Sequence, residues 1–409
     1  MLNARKNFLF SLADQSLVSI ANFLTVSLGA LFLSLDQQGA LVYVLTGYIG
    51  TVLLNVATCF STANVVRHRI ESDGEYRASL FLLQVGIALV ASISIVALIA
   101  AFSEALSWNI SVSESLALLG FLFTQQLFDF VRRANYVFGS VSDSVKQSLF
   151  VYGGRILLIF LIEPNTIEVM LMVLLVPSAL FLFVVLLKAL AAGVSYRFEK
   201  GQLRQILRVH LRATRWNMLN IPGTWITLHL PVALVGFFHS IEAAAIVGTL
   251  RSLTTFANVF LELMETFVPA WMASRHHQSP SLLGQTTRSL LLFGAIVWVC
   301  GALLLAVIGA LTVEVLFGAE YLQHSDLLLW FWVANGLYFV GRSFSVHFRV
   351  KSDSRFEFLS SSGGVVALVL SIPLLTEFGA LGAAWMLIII QVATLMTQGG
   401  YALRSRNAM

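Results

Sequence analysis

Charge is what this 409-residue chain has least of: Asp, Glu, Lys and Arg make up 11% of it, against 58% hydrophobic residues. A soluble protein of this length has more polar surface to present than that balance supplies, so a water-soluble globule is excluded. Cysteine is equally scarce. Cys59 and Cys300 both fall inside long apolar stretches, at different depths, and no disulfide framework follows from them. Ten-residue alternation of apolar and polar positions, the mark of a membrane β-barrel, is missing. Metal-ligand clusters, glycine-rich phosphate loops and nucleophile motifs are missing too, which argues against an enzyme and calls for no cofactor.

What the chain does have is apolar runs long enough to cross a bilayer, recurring from one end to the other. Twelve spans are expected, at about 8–33, 41–64, 79–103, 115–139, 145–162, 167–190, 216–238, 243–272, 289–312, 326–350, 358–375 and 380–402. In hydrocarbon every backbone polar group must be satisfied within the segment, so these runs predict helices and an all-α polytopic membrane protein. The first run is too long for the core of a signal peptide and is read as retained.

A second absence sets the orientation. With both termini cytoplasmic, the six outer loops carry no Lys or Arg and hold Asp36, Glu104, Glu163, Glu242, Glu314, Glu320 and Glu377 instead. The inner segments carry Arg5, Lys6, Arg67, Arg69, Arg77, Arg197 to Arg215, Arg275, Arg288, Lys351, Arg355, Arg404 and Arg406. Basic residues stay on the cytoplasmic side, so this asymmetry places both ends inside. It also accounts for the net charge of +4 without a nucleic-acid partner.

One segment occurs twice. RRANYVFGSVSDS, starting at Arg132, returns as RSFSVHFRVKSDS at Arg342, 210 residues on, with the arginine and the Ser-Asp-Ser triplet in register. A weaker echo at an offset of 203 pairs Thr46, Thr51 and Asn55 with Thr249, Thr254 and Asn258. The twelve spans therefore divide into two pseudo-symmetric six-helix lobes, 1–190 and 216–409, around a central cavity. Six is even, so the lobes are parallel repeats about an axis along the membrane normal, with a site near the midplane. Between them, 191–215 forms a basic linker in which Arg204, Arg208, Arg212 and Arg215 recur at helical spacing. It reads either as an amphipathic helix on anionic inner-leaflet lipid or as a solvated tether.

Ionised side chains inside spans cost about 2.5–3.5 kcal/mol each on insertion scales, so each asks for a partner or a cavity. Arg155 near the middle of span 5 and Arg251 in span 8 are expected to line the cavity, because acids are few at their depth. Arg132, Arg133 and Arg342 lie toward inner span ends, where their stems either reach headgroups or join the cavity. His229 in span 7 is a helix-packing residue or a further cavity cation. Asp14 in span 1 either anchors a helix pair or couples transport to an ion. Glu262 and Glu265, three residues apart on one face of span 8, are the other coupling candidates. Arginine supplies planar, permanently charged donors, so such a cavity suits a phosphate or pyrophosphate.

Certain stretches resemble a known group. SLADQSLVSIANFLTVSLGALFL followed by QQGALVYVLTGYIGTVLLN is similar to the first two spans of bacterial polysaccharide flippases, and FVPAWMASR, LFGAEY and FGALGAAW fit the same family further on. These flippases belong to the multidrug/oligosaccharidyl-lipid/polysaccharide exporter superfamily. The resemblance implies a multi-pass protein of the bacterial inner membrane that moves undecaprenyl-pyrophosphate-linked oligosaccharide to the outer leaflet by alternating access. It implies coupling to a proton or sodium ion, a role in making O-antigen, capsule or exopolysaccharide, and polymerase and chain-length proteins as further partners. No family residue roles carry over, because cavity charges vary in position within the group. The peptidoglycan lipid II flippase branch has more spans as a rule, and twelve sets this chain apart from it.

Other readings fare less well. A major-facilitator carrier needs a glycine-Asp-Arg-rich loop where this chain has VVRHRIESDGEYRA. A multidrug exporter of the same superfamily shares fold and coupling and differs in cargo. A membrane polysaccharide polymerase or ligase needs a catalytic outer loop, and only His239 and His324 stand outside among the basic types.

Overall fold

The computed structural model describes residues 2–60, 73–191, 222–254, 280–350 and 355–407, with residues 204, 208, 209, 268 and 272. Glu262, Glu265 and most of the 191–215 linker lie outside the described residues. Described secondary structure is helical throughout. The helices follow the order of the expected spans: α1 (Leu2–Phe32), α2 (Leu35–Asn55), α3 (Asp73–Ala101), α4 (Val112–Phe138), α5 (Val141–Ile162) and α6 (Ile167–Ala191). They continue with α7 (Leu230–Phe238), α8 (Ile241–Leu253), α9 (Pro280–Phe317) and α10 (Leu327–Val350). The last helical stretch, Arg355–Asn407, breaks at Gly379, where φ is 53° and ψ −121°, into α11 (355–378) and α12 (380–407). Only glycine takes that backbone cheaply. Gly382 then lets α12 pass its neighbour, since a Cβ there would stand 1.9 Å from the Leu374 carbonyl oxygen. The break falls in the gap left between the last two predicted spans.

The chain forms two compact units, Met1–Thr25 with Phe32–Ile221, and Val26–Leu31 with Pro222–Met409. Within the first, α4 packs on α2, α3, α5 and α6. Within the second, α10 packs on α8, α9 and the α11–α12 stretch. The fourth span is thus the central one in each.

Among the described residues, seven helical stretches are long and apolar enough to cross a membrane by length and composition. α4 is not among them, because Gln125, Gln126, Asp129, Arg132 and Arg133 dilute its hydropathy. Its polar residues point inward: Gln125, Gln126, Asp129 and Arg132 are all buried. A capping box sets its start, with the Ser111 hydroxyl accepting from Glu114 N–H and the Glu114 carboxylate from Ser111 N–H. α9 is the opposite case. Leu292, Ile296, Val299, Leu303, Val307 and Leu311 are exposed along it, an apolar face suited to lipid chains. Its other face meets α10 through a reciprocal clasp: Trp298 Nε1 donates to Trp332 O at 3.1 Å, and Trp332 Nε1 donates to Trp298 O at 2.7 Å.

Candidate functional site

In the first unit, charges from three helices meet out of water. α4 carries Gln125, Asp129, Arg132 and Tyr136 at spacings of four, three and four, so all four share one face. α1 presents Asp14 to that face. α5 presents Ser148, Tyr152 and Arg155 through a π-helical turn at Leu149–Gly153, a local insertion of the kind that recurs at functional sites. The surrounding apolar packing is Ala21, Phe128, Val151 and Tyr152, with Val18 and Phe181 against them.

Arg132 is the centre. Its Nη1 donates to Asp14 Oδ2 at 2.5 Å, and its Nη2 and Nε both reach Asp129 Oδ1 at 3.3 Å. Its side chain is 1% exposed and that of Asp14 is 0% exposed. Arg132 therefore takes neither course expected of it, headgroup or cavity. Asp129, one turn back on the same helix, and Asp14 from α1 hold it inside. Asp14 also accepts from the hydroxyls of Tyr136 and Ser148. Of its two candidate roles, the helix-anchoring contact is the one visible.

Asp129 extends the network. It accepts from the Tyr48 hydroxyl of α2, and from Tyr152 Oη at 3.2 Å. Gln125 Nε2 donates to both tyrosine oxygens, at 3.3 Å to Tyr48 and 3.2 Å to Tyr152. Gln125 Oε1 accepts from Arg155 Nη2 at 2.6 Å. Arg155 is 0% exposed, with its guanidinium 5.1 Å from the Tyr152 ring centre and 5.6 Å from that of Phe121. Its Nε and Nη1 have no hydrogen-bond partner. One acid of the network, Asp129, lies two hydrogen-bonded groups away from Arg155. That acid is shared with Arg132, and Arg155 reaches it only through a neutral amide and two phenols.

The second unit is arranged differently. By the 210-residue register, Asn335 stands where Gln125 does, and Phe339 stands where Asp129 does. Asn335 Nδ2 donates to Thr254 Oγ1 at 2.9 Å, tying α10 to α8. Phe339 is buried against Trp298. The acid that accompanies Arg132 is thus replaced by a ring. Arg342 is half-buried, 5.9 Å over the Tyr338 ring. Arg251 and His229 are half-buried as well, near enough for their charges to interact, and Tyr338 lies close to Arg251. Arg251 makes no ion pair among the described residues.

Sequence reading singled out Arg155, Arg132 and Asp14 without seeing that one network contains all three. It missed Asp129, Tyr48, Gln125, Tyr152, Tyr136 and Ser148. The polar stripe of α4 is the signal that points to four of the network's members.

The described helices thus form two compact units, each organised on its fourth span and each with guanidinium groups inside it. Comparison with solved structures makes the fold particular. The lipid II flippase MurJ in an inward closed conformation matches with a TM-score of 0.70 at 13% identity, over 96% of this chain and 86% of that one. An inward-facing multidrug resistance transporter of the MATE family, in the MOP superfamily, matches at 0.69 and 15%, over 97% and 94%. The Vibrio cholerae MATE transporter VcmN matches at 0.65 and 14%, over 98% and 97%. No family model and no curated protein sequence matches this chain. With twelve helices in two compact units among the described residues, the chain has the fold of these flippase and transporter structures.

Proposed function

We propose that this protein is a flippase for polyprenyl-pyrophosphate-linked oligosaccharide. It moves that lipid from the inner to the outer leaflet of the bacterial cytoplasmic membrane by ion-coupled alternating access, with both termini cytoplasmic. The product feeds surface polysaccharide such as O-antigen, capsule or exopolysaccharide, alongside polymerase and chain-length proteins. One observation carries the reading: each unit holds an arginine inside a span that makes no ion pair among the described residues, Arg155 in the first and Arg251 in the second.

The polyprenyl tail is as apolar as the bilayer and needs no help. The pyrophosphate is what hydrocarbon refuses, and fixed guanidinium donors replace its water. Arg342 and His229 add positive charge in the second unit. Arg132 is spent on Asp14 and Asp129 and serves the site by holding α1 against α4. Glu262 and Glu265, with Asp14 once its pair with Arg132 opens, are the candidates for binding the driving proton or cation. The fold is shared with multidrug transporters as well, but a cationic drug seeks an unspent acid. Both carboxylates of the first-unit network already face Arg132.

Arg155→Ala and Arg251→Ala are each expected to leave the protein inserted and folded, yet stop export of surface polysaccharide and build up the lipid-linked intermediate on the inner leaflet. Lysine restores export only in part, because an ammonium keeps the charge but loses the planar fork. Normal surface polysaccharide from both alanine variants refutes the proposal.

A further inference from the structure

The two buried arginines of the first unit are provided for in different ways. Arg132 has all three guanidinium nitrogens on carboxylate oxygens. Arg155, equally buried, is given an amide, and its Nε and Nη1 are left without a partner. A buried cation is ordinarily paired with an acid, since an uncompensated one is costly. Here Asp129 is reached only through an amide and then a phenol, two hydrogen-bond steps further away.

Donor and acceptor bookkeeping explains how the amide is held. An ionised Asp129 only accepts, so the hydroxyls of Tyr48 and Tyr152 must both donate to it. Each phenol has one proton, so its oxygen can then only accept from Gln125. Gln125 must therefore turn its NH2 toward the tyrosines, which puts Oε1 against Arg155 Nη2. The amide cannot flip without setting NH2 against guanidinium N–H and its oxygen against two lone pairs.

We propose that Asp129, Tyr48, Tyr152 and Gln125 form a hydrogen-bond polarity relay that orients Arg155 while leaving its charge unneutralised, so that its Nε–H and Nη1–H serve a phosphate-type anion. Gln125 and Asp129 are thus positioning residues. The inference rests on the reading of Arg155 as an anion donor and names what prepares it. Because Arg155 is fully enclosed in this structure, the anion reaches it when the covering helices part during the transport cycle. Either tyrosine alone still fixes which way the amide faces; with neither, only the Arg155 guanidinium itself favours that orientation and no second group holds the amide in place.

The test is binding of inorganic pyrophosphate to the purified full-length protein in detergent, by calorimetry, with thermal midpoints measured in parallel. Arg155→Ala is expected to abolish binding. Tyr48→Phe and Tyr152→Phe each weaken it about twofold, and the double variant weakens it about twentyfold, well beyond the product of the singles. Packing loss alone gives an additive series in both affinity and midpoint. Gln125→Glu puts a carboxylate on Arg155 and is expected to weaken binding about a hundredfold, with a lower midpoint because its second oxygen faces the two phenol oxygens that Gln125 Nε2 bonds. If the double tyrosine variant shows only the product of the singles, the relay is wrong although Arg155 still binds the anion. If Gln125→Glu fails to fold, the tyrosine series decides alone. If the unmodified protein binds no pyrophosphate, or Arg155→Ala binds it equally well, the anion reading falls and the relay with it.

Discussion

Arg132→Met is the substitution with the most determinate consequence. Arg132 stands between two carboxylates, at 2.5 Å from Asp14 and 3.3 Å from Asp129, and Asp14 is wholly buried. Breaking one buried ion pair by removing a partner costs about 3–5 kcal/mol. Removing the arginine breaks two and strands both acids. Hydroxyl donors soften the loss, from Tyr136 and Ser148 on Asp14 and from Tyr48 and Tyr152 on Asp129. The expected cost is therefore about 4 kcal/mol rather than twice the single-pair figure. Asp14→Asn removes the shorter pair but leaves Arg132 on Asp129, and is expected to cost about 2–3 kcal/mol. The triple change Asp14→Asn, Asp129→Asn and Arg132→Met buries no charge and is expected to come within about 2 kcal/mol of the starting protein.

A thiol-reactive fluorophore can follow this. Cys59 is buried and Cys300 exposed, so on a Cys300→Ser background the dye reports unfolding through Cys59. Each kcal/mol moves the midpoint by roughly 2–4 °C for a unit of this size, so Arg132→Met should lower it by roughly 8–16 °C. An unchanged midpoint, or a triple variant no better than Arg132→Met, refutes the ion-paired triad.

Other outcomes are as specific. At Gly301 a Cβ would stand 2.1 Å from the Trp332 ring, so Gly301→Ala is expected to cost about 1–3 kcal/mol, and Trp332→Phe on top of it should recover part of the loss. Gly379→Ala meets both a φ of 53° and the His239 ring at 2.7 Å; adding His239→Ala should relieve the contact but not the backbone strain, leaving a residual loss of about 1 kcal/mol in the same melting assay. Cysteines placed at Arg204 and Arg208 should react with membrane-impermeant thiol reagents only after the cells are opened. Labelling in intact cells would invert the proposed topology.

Sequence reading located the network unevenly, and α4 shows why. The spacing of Gln125, Asp129, Arg132 and Tyr136 is visible in one dimension, because a helix returns to the same face every three or four residues. Asp129 carries no signal of its own in one dimension beside the Arg132–Arg133 doublet three residues on. Nothing in α4 names its partners in α1, α2 and α5. Ser148 closes the polar stretch VSDSVKQS like any serine there, and only the fold brings it beside Asp14. In the second unit, the repeat placed Arg342 at the register of Arg132, yet Phe339 in place of Asp129 gives it a different setting.

By itself the sequence determined that the chain is a bundle of membrane helices, roughly where each runs, and that the last two part near residue 379. Those properties depend on hydropathy and local backbone preference, which are summed over neighbouring residues. Which buried charges are spent and which are kept was decided only in three dimensions. Asp14 and Arg132 are 118 positions apart, and Tyr48 and Asp129 are 81 apart. Whether two such groups meet depends on the depth and rotation of separate helices, and packing between helices sets both. The same arginine that looks ready for a ligand in a linear reading is closed off by two acids, while the other keeps its charge because only an amide came within reach.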